Sequence, residues 1–164
     1  QGSVQEVTHE GYFILVGKTT EEVFVRAIAD YAGRIAHYLP FNIVTIPELK
    51  NTKKLSEAQQ KAREGELILR EIQPSDTVVL LDEHGKEFRS VDYAAWLQKK
   101  QNTARRLVFV IGGAYGFSEA VYSRADEKIS LSKMTFSHQM VRLIFVEQLY
   151  RACSIIRGEP YHHE

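Results

Sequence analysis

The stretch Leu107-Val108-Phe109-Val110-Ile111-Gly112-Gly113-Ala114-Tyr115-Gly116-Phe117-Ser118 decides how this chain folds. Its first five residues are apolar without a break. A strand with one wet face alternates apolar and polar residues, so an unbroken run marks a strand covered on both faces. Three glycines within five residues then release the chain from the strand. Ser118 follows as the cap of a short helix holding Ala120, Val121 and Tyr122. Strand, glycine turn and helix in direct succession are the repeating unit of a parallel α/β sheet.

The same unit recurs outward from this stretch. Upstream, Thr77 to Leu81 is a second continuously apolar strand after the turn Pro74-Ser75-Asp76. Asp82 to Arg89, with Gly85, reads as a loop, and Ser90 as the cap of a helix to about Gln101. Nearer the start, Tyr12 to Val16, ended by Gly17, reads as a strand. Thr19 and Glu22 have capping-box spacing, so a helix begins there, carries Val23, Phe24, Ala27, Ile28, Tyr31 and Ile35, and stops at Pro40. Phe41 to Ile46 is a strand and Glu48 to Leu55 an exposed basic loop. Ser56 and Gln59 form another capping box for a helix to about Glu71. Downstream come a short strand, Lys128 to Leu131, a loop, Ser132 to Ser137, and a long helix from His138 to Arg157, stopped by Gly158 and Pro160. The alternation predicts an α/β fold: a mostly parallel sheet with helices on both faces, in a single domain over residues 11–164. Gln1 to Glu10 reads as a leader or cloning remnant outside that domain.

Composition narrows the class. With 44% apolar and 26% charged residues over 164 positions, the chain is one soluble globular domain. Lysine plus arginine equals aspartate plus glutamate, 21 against 21, so no global field draws nucleic acid. The single cysteine, Cys153, sits in an apolar helical pattern; it cannot form an internal bridge, and it suits a reducing compartment. No apolar run nears the roughly 18 residues of a membrane span, and no signal-peptide pattern is visible. His162-His163 lacks a third ligand at suitable spacing, so no metal is expected.

The last helix is apolar almost all round: Met140, Val141, Leu143, Ile144, Phe145, Val146, Leu149, Tyr150, Ala152, Cys153, Ile155 and Ile156. A surface helix has one apolar stripe. Either a second subunit covers the other side, or the helix threads the centre of its own domain. Arg142, inside this pattern, must be paired with Glu147 or another acid, or face a cleft.

Ligands of open α/β sheets bind beyond the carboxyl ends of the strands. Leu81 to Gly85, Gly112 to Gly116 and Ser132 to Ser137 hold such positions. Gly112, Gly113 and Gly116 let backbone approach a ligand, and alone they serve a tight turn equally well. Gly17-Lys18-Thr19 echoes the end of a phosphate-binding loop, but Tyr12 stands where its upstream glycine belongs.

Several pieces in order carry a resemblance: Leu80-Leu81-Asp82 with Gly85-Lys86, Ile111-Gly112-Gly113 with Gly116, Ser130-Leu131-Ser132, Ser137-His138-Gln139-Met140-Val141-Arg142, Glu147-Gln148-Leu149-Tyr150-Arg151-Ala152, and the ending Pro160-Tyr161-His162-His163-Glu164. From about Tyr12 to Glu164 the chain resembles the ribosomal RNA large subunit methyltransferase H family, 23S rRNA pseudouridine(1915)-N(3)-methyltransferases of the SPOUT superfamily. Ala114 stands where that family usually has proline after the two glycines. The resemblance implies a trefoil-knotted α/β fold and a cytoplasmic homodimer with S-adenosylmethionine bound at the subunit interface. It implies that Leu81, Gly113 and Ser132, Lys133, Met134, Thr135, Phe136 and Ser137 contact that cofactor, and that 23S rRNA in the ribosome is the partner. For the reaction it implies, His162 or His138 would be the general base. Arg142 would stabilise the anionic base, and Tyr161 would stack on the flipped base or hydrogen-bond to it. RNA affinity would come from local charge among Lys50, Lys53, Lys54, Lys99, Lys100, Arg105 and Arg106.

Overall fold

A computed structural model of the chain describes residues 10–163. Strands and helices alternate along them: β1 (Glu10–Val16), α1 (Glu22–Ile35), β2 (Phe41–Ile46), α2 (Glu57–Arg70), β3 (Thr77–Glu87), α3 (Ser90–Thr103), β4 (Arg106–Ile111), α4 (Glu119–Arg124), β5 (Glu127–Ser130) and α5 (His138–Ile156). The strands form one sheet in the order β2-β1-β4-β3-β5, and every neighbouring pair is parallel. The α/β fold expected from the sequence is therefore present. Of the stretch read as a remnant, 1–9 lies outside the described residues and Glu10 opens β1.

Side chains alternate across the sheet with the period of two that a strand imposes. Phe13, Leu15, Val79, Leu107, Phe109 and Ile111 enter one core with residues of α1, α3 and α5. Ile14, Val16, Val78, Leu80, Val108 and Val110 enter the other with Ile68 of α2 and Val121 of α4. The unbroken apolar runs of β3 and β4 are thus covered on both faces. On the first face α5 packs against both α1 and α3. The Phe145 ring lies 4.2 Å from that of Phe13 and 4.9 Å from that of Phe109. Cys153 is part of this core, and burial pushes its thiol up to about 12, so it stays an inert thiol.

Four local readings are corrected. α1 is capped by Glu21 with no side-chain bond, because Arg142 takes the Thr19 hydroxyl. α1 ends at Ile35, and a turn from Ala36 to Leu39 fills the gap before Pro40. α3 starts after Arg89, and Ser90 donates instead to Gln148 Oε1 on α5 at 2.9 Å. β3 runs on to Glu87, where a loop was expected. Leu81 and Lys86 both pair with Ile129, so residues 82–85 leave the ladder between them. Gly85 then passes so close to β5 that a Cβ there would stand 2.6 Å from Ile129 backbone. By contrast, Ser56 and Gln59 make the full capping box of α2, and Ser118 and Ser137 cap α4 and α5.

Candidate functional site

The departure of residues 82–85 from β3, the glycine turn after β4 and the segment between β5 and α5 meet at one edge of the sheet. They border a cavity of about 490 Å³ beyond the carboxyl ends of β4 and β5 and the point where β3 leaves its ladder after Leu81. That volume is ordinary for a small-molecule site. Leu81, Gly112, Gly113, Gly116, Ser132, Met134, Thr135 and Phe136 line it, as does His138. Lys133 and Ser137 do not: Lys133 is exposed, and Ser137 accepts the Met140 N–H at 3.2 Å as the α5 cap.

The glycine turn is held from both sides. The Gly116 N–H donates to the Gly113 carbonyl at 3.1 Å, with Gly116 at φ +81°. The Gly113 N–H donates to Glu64 Oε1 at 2.9 Å. A Cβ at Gly113 would meet the Glu64 carboxylate at 2.5 Å, and one at Gly112 would stand 3.0 Å from the Phe117 ring. This part of the wall is bare backbone for a steric reason. Burial raises the Glu64 carboxyl above its ordinary range, while the Gly113 hydrogen bond pulls the other way. Nothing local in the sequence marks Glu64: it is one of several acids along a polar helix, and only the tertiary contact singles it out. Asp82 is a second residue the sequence reading missed. It accepts the His84 N–H at 2.8 Å and the Tyr122 hydroxyl, and burial first, then Asp82, pushes that phenol up to about 12.

His138 opens α5 at the cavity edge. Burial, then the charge of Arg142, holds its imidazole below the ordinary 6.5. The ring is therefore neutral near neutral pH, the form that accepts a proton.

Arg142, one turn further on, does not line the cavity. It is 1% exposed, and its guanidinium donates to the Val16 carbonyl at 2.8 Å, the Gly17 carbonyl at 2.9 Å and the Thr19 hydroxyl at 3.0 Å. Among the described residues it has no carboxylate partner; Glu147 binds Arg151 instead, at 2.6 Å. Arg142 thus anchors the N-terminal turns of α5 to the end of β1. Gln139 assists by accepting the Thr20 N–H at 2.8 Å.

Tyr161 and His162 lie elsewhere in this chain. Tyr161 donates to Glu147 at 3.0 Å and shares a hydrogen bond of 3.2 Å with Tyr31; burial first, then these partners, raises its pKa. His162 Nδ1 stands 3.1 Å from Arg151 Nη1. Arginine only donates, so Nδ1 accepts and the proton of the neutral ring sits on Nε2, which is buried without a partner. His138 and Glu147 are nine residues apart on α5, roughly 14 Å along its axis. The two expected catalytic histidines therefore do not meet within one chain.

The basic residues separate as well. Arg106 forms a buried pair with Asp76 at 2.8 Å and covers the Tyr12 ring at 4.2 Å. Lys100 pairs with Glu127. These pairs serve the fold at the amino ends of β4 and β5. Lys50, Lys53 and Lys54 are exposed on the loop leaving the carboxyl end of β2.

Residues 12–162 match the family described as "Predicted SPOUT methyltransferase". The chain is also similar to proteins named ribosomal RNA large subunit methyltransferase H. The one from Parabacteroides distasonis is 62% identical, covering 92% of this chain and 97% of that protein. The one from Christiangramia forsetii is 59% identical over 92% and 96%. The one from Flavobacterium johnsoniae is 55% identical over 92% and 97%. With a sheet of the expected class, a glycine-walled cavity at its carboxyl edge and a match over nearly its whole length, this chain belongs to the SPOUT methyltransferase family.

Proposed function

We propose that this protein is an S-adenosylmethionine-dependent methyltransferase of ribosomal RNA, acting on ring nitrogen N3 of the large-subunit pseudouridine at position 1915 in assembled ribosomes. The observation that carries this reading is the cavity: three loops wall it, one of them a bare glycine turn, and a histidine held neutral stands at its edge. The relatives' shared name supplies the substrate class.

The residues present fit the cofactor. At 112 and 113 any side chain would strike Phe117 or Glu64, so an adenosine-sized group can approach bare backbone. Asp82 and Glu83 bring negative charge to the wall, which suits a sulfonium and an ammonium group. Bound there, S-adenosylmethionine supplies a methyl group whose sulfonium sulfur keeps the electron pair of the broken carbon–sulfur bond. N3 forms the new bond to carbon, and its proton passes to His138. Arg142 is a positioning residue in this scheme. It fixes the helix turn that bears His138, and its charge adds to the effect of burial in lowering the pKa of that imidazole.

A homodimer completes the site. Leu143, Ile144, Ile155 and Ile156 on α5 are only partly covered within one chain, which favours a second subunit there. Tyr161 and His162 would then serve the partner's cavity, with Tyr161 stacking on the flipped base. The step from β4 through α4 to β5, back past β3, suits the trefoil knot of the family, an exception to the general rule against threaded chains. Ribosomes as substrate put the protein in the cytoplasm. Lys50, Lys53 and Lys54 are exposed on the loop that leaves the carboxyl end of β2, and would meet RNA phosphates.

The test is methyl transfer from radiolabelled S-adenosylmethionine to ribosomes lacking the modification, with free 23S rRNA alongside. Label confined to N3 of that one pseudouridine is the expected result. Cofactor binding without transfer would mean another RNA target. Neither binding nor transfer would leave a non-catalytic interaction module.

A further inference from the structure

Most aromatic rings of this protein are engaged. Tyr122 lies edge-on to Phe117 at 5.7 Å and bonds to Asp82. Tyr93 and Trp96 stack at 5.5 Å, and Tyr150 contacts Tyr31, Tyr38 and Tyr161. Tyr115 differs. It is 46% exposed, it lines the cavity, and it has no hydrogen bond, ion pair or ring contact with any described residue. Folding does not account for a large ring at this place.

Its backbone is nevertheless fixed. Tyr115 stands at the apex of the turn closed by Gly113 and Gly116, and Glu64 pins that turn from below. A ring on a rigid support loses little conformational freedom on binding, which is what a recognition surface needs. Met134, on the segment between β5 and α5, lines the same cavity and is 76% exposed. Its N–H is held by the Ser132 hydroxyl at 2.9 Å. Two exposed apolar side chains, from two separately braced loops, thus border one opening.

Resting on the reaction proposed above, we infer that Tyr115, with Met134 beside it, is the stacking platform for an unpaired RNA base at the cavity mouth. The donor occupies the glycine-walled interior, and the acceptor must arrive from solvent, where these two side chains stand. A base offers a flat apolar face and needs no particular hydrogen bond to stack, while the phosphates stay in water. The thioether adapts to whichever edge the base presents.

The experiment compares the unaltered protein with Tyr115→Ala, Tyr115→Phe and Met134→Ala. It measures steady-state methylation of unmodified ribosomes, calorimetric binding of S-adenosylmethionine and the mass of the assembly in solution. Loss of the ring should raise KM for ribosomes about tenfold, and Tyr115→Phe should stay within about twofold. In the two Tyr115 variants, cofactor affinity and assembly mass should not move. An unchanged KM in Tyr115→Ala overturns the inference. So does weakened cofactor binding at unchanged KM, which would put the ring on the cofactor, and so does a changed mass, which would put it at a subunit contact. Should the unaltered protein transfer no methyl group, the proposed reaction falls, and the platform is judged by equilibrium binding to ribosomes. There, equal affinity with and without the ring overturns it.

Discussion

The Glu64 carboxylate, on α2, accepts the N–H of Gly113, 49 residues later at the end of β4, at 2.9 Å. A buried acid therefore sets the shape of the glycine turn and stands where a side chain at 113 would have to go. The cavity wall owes its form to a residue that does not line it.

Glu64→Ala should weaken S-adenosylmethionine binding about tenfold, because it frees a turn that must otherwise be ordered on binding. Glu64→Gln, which keeps an acceptor, should bind nearly as well; calorimetry distinguishes them. The raised carboxyl also makes a pH signature. The folded state holds this proton more tightly than the unfolded chain, so stability is full below pH 4.5 and declines as pH rises through the higher folded value. Urea titrations across that range should show the decline reduced in Glu64→Gln.

His138→Gln should lower kcat about a hundredfold or more while leaving cofactor affinity within a few-fold. Since the imidazole titrates below 6.5, the acid limb of the kcat/KM profile should fall below that pH. Stability follows the same sign. The unfolded chain takes up the proton first, so stability is complete above 6.5 and is lost as pH falls through the lower folded value. An unchanged kcat in His138→Gln would remove His138 as the base.

Arg142→Met should cost about 3 kcal/mol of unfolding free energy in urea denaturation, since it strips charged donors from two buried carbonyls at the end of β1. A residue acting only on the substrate would leave stability untouched, so the two roles separate in one measurement.

Gly85→Ala should destabilise the protein by about 2 kcal/mol, read as a lowered Tm, because its Cβ would press on Ile129 backbone that cannot rotate away. Gly33→Ala, where a Cβ meets nothing within 4 Å, is the control and should be stabilising.

Mixing inactive His138→Gln protein with protein lacking residues 160–164 should restore about a quarter of normal activity after subunit exchange, because half of the dimers then hold one intact cavity facing one intact tail. No recovery would mean that tail and cavity act within one chain.

The identity of nearly every element was legible because strand and helix periods are local properties. Val78-Val79-Leu80 and Val108-Phe109-Val110 read as doubly covered strands from their own residues, and the glycine turn was visible for the same reason. The errors came where distant groups competed for a local one. Thr19 looked like a helix cap, yet Arg142, 123 residues on, takes its hydroxyl. Ser90 looked like another, yet it bonds to Gln148. Arg142 was expected to meet an acid or a cleft, and it meets backbone carbonyls.

The sequence by itself determined the fold class, the three loops at the carboxyl edge and the family. Each of these rests on patterns within a few residues of one another. The tertiary structure alone decided that Glu64 shapes the glycine turn, that Arg142 is an anchor behind His138, and that His138 stands at the start of α5 while His162 packs against Arg151 further along it. Those facts depend on which distant side chain reaches a given polar group first. Geometry across the whole domain sets that outcome, and no local period encodes it.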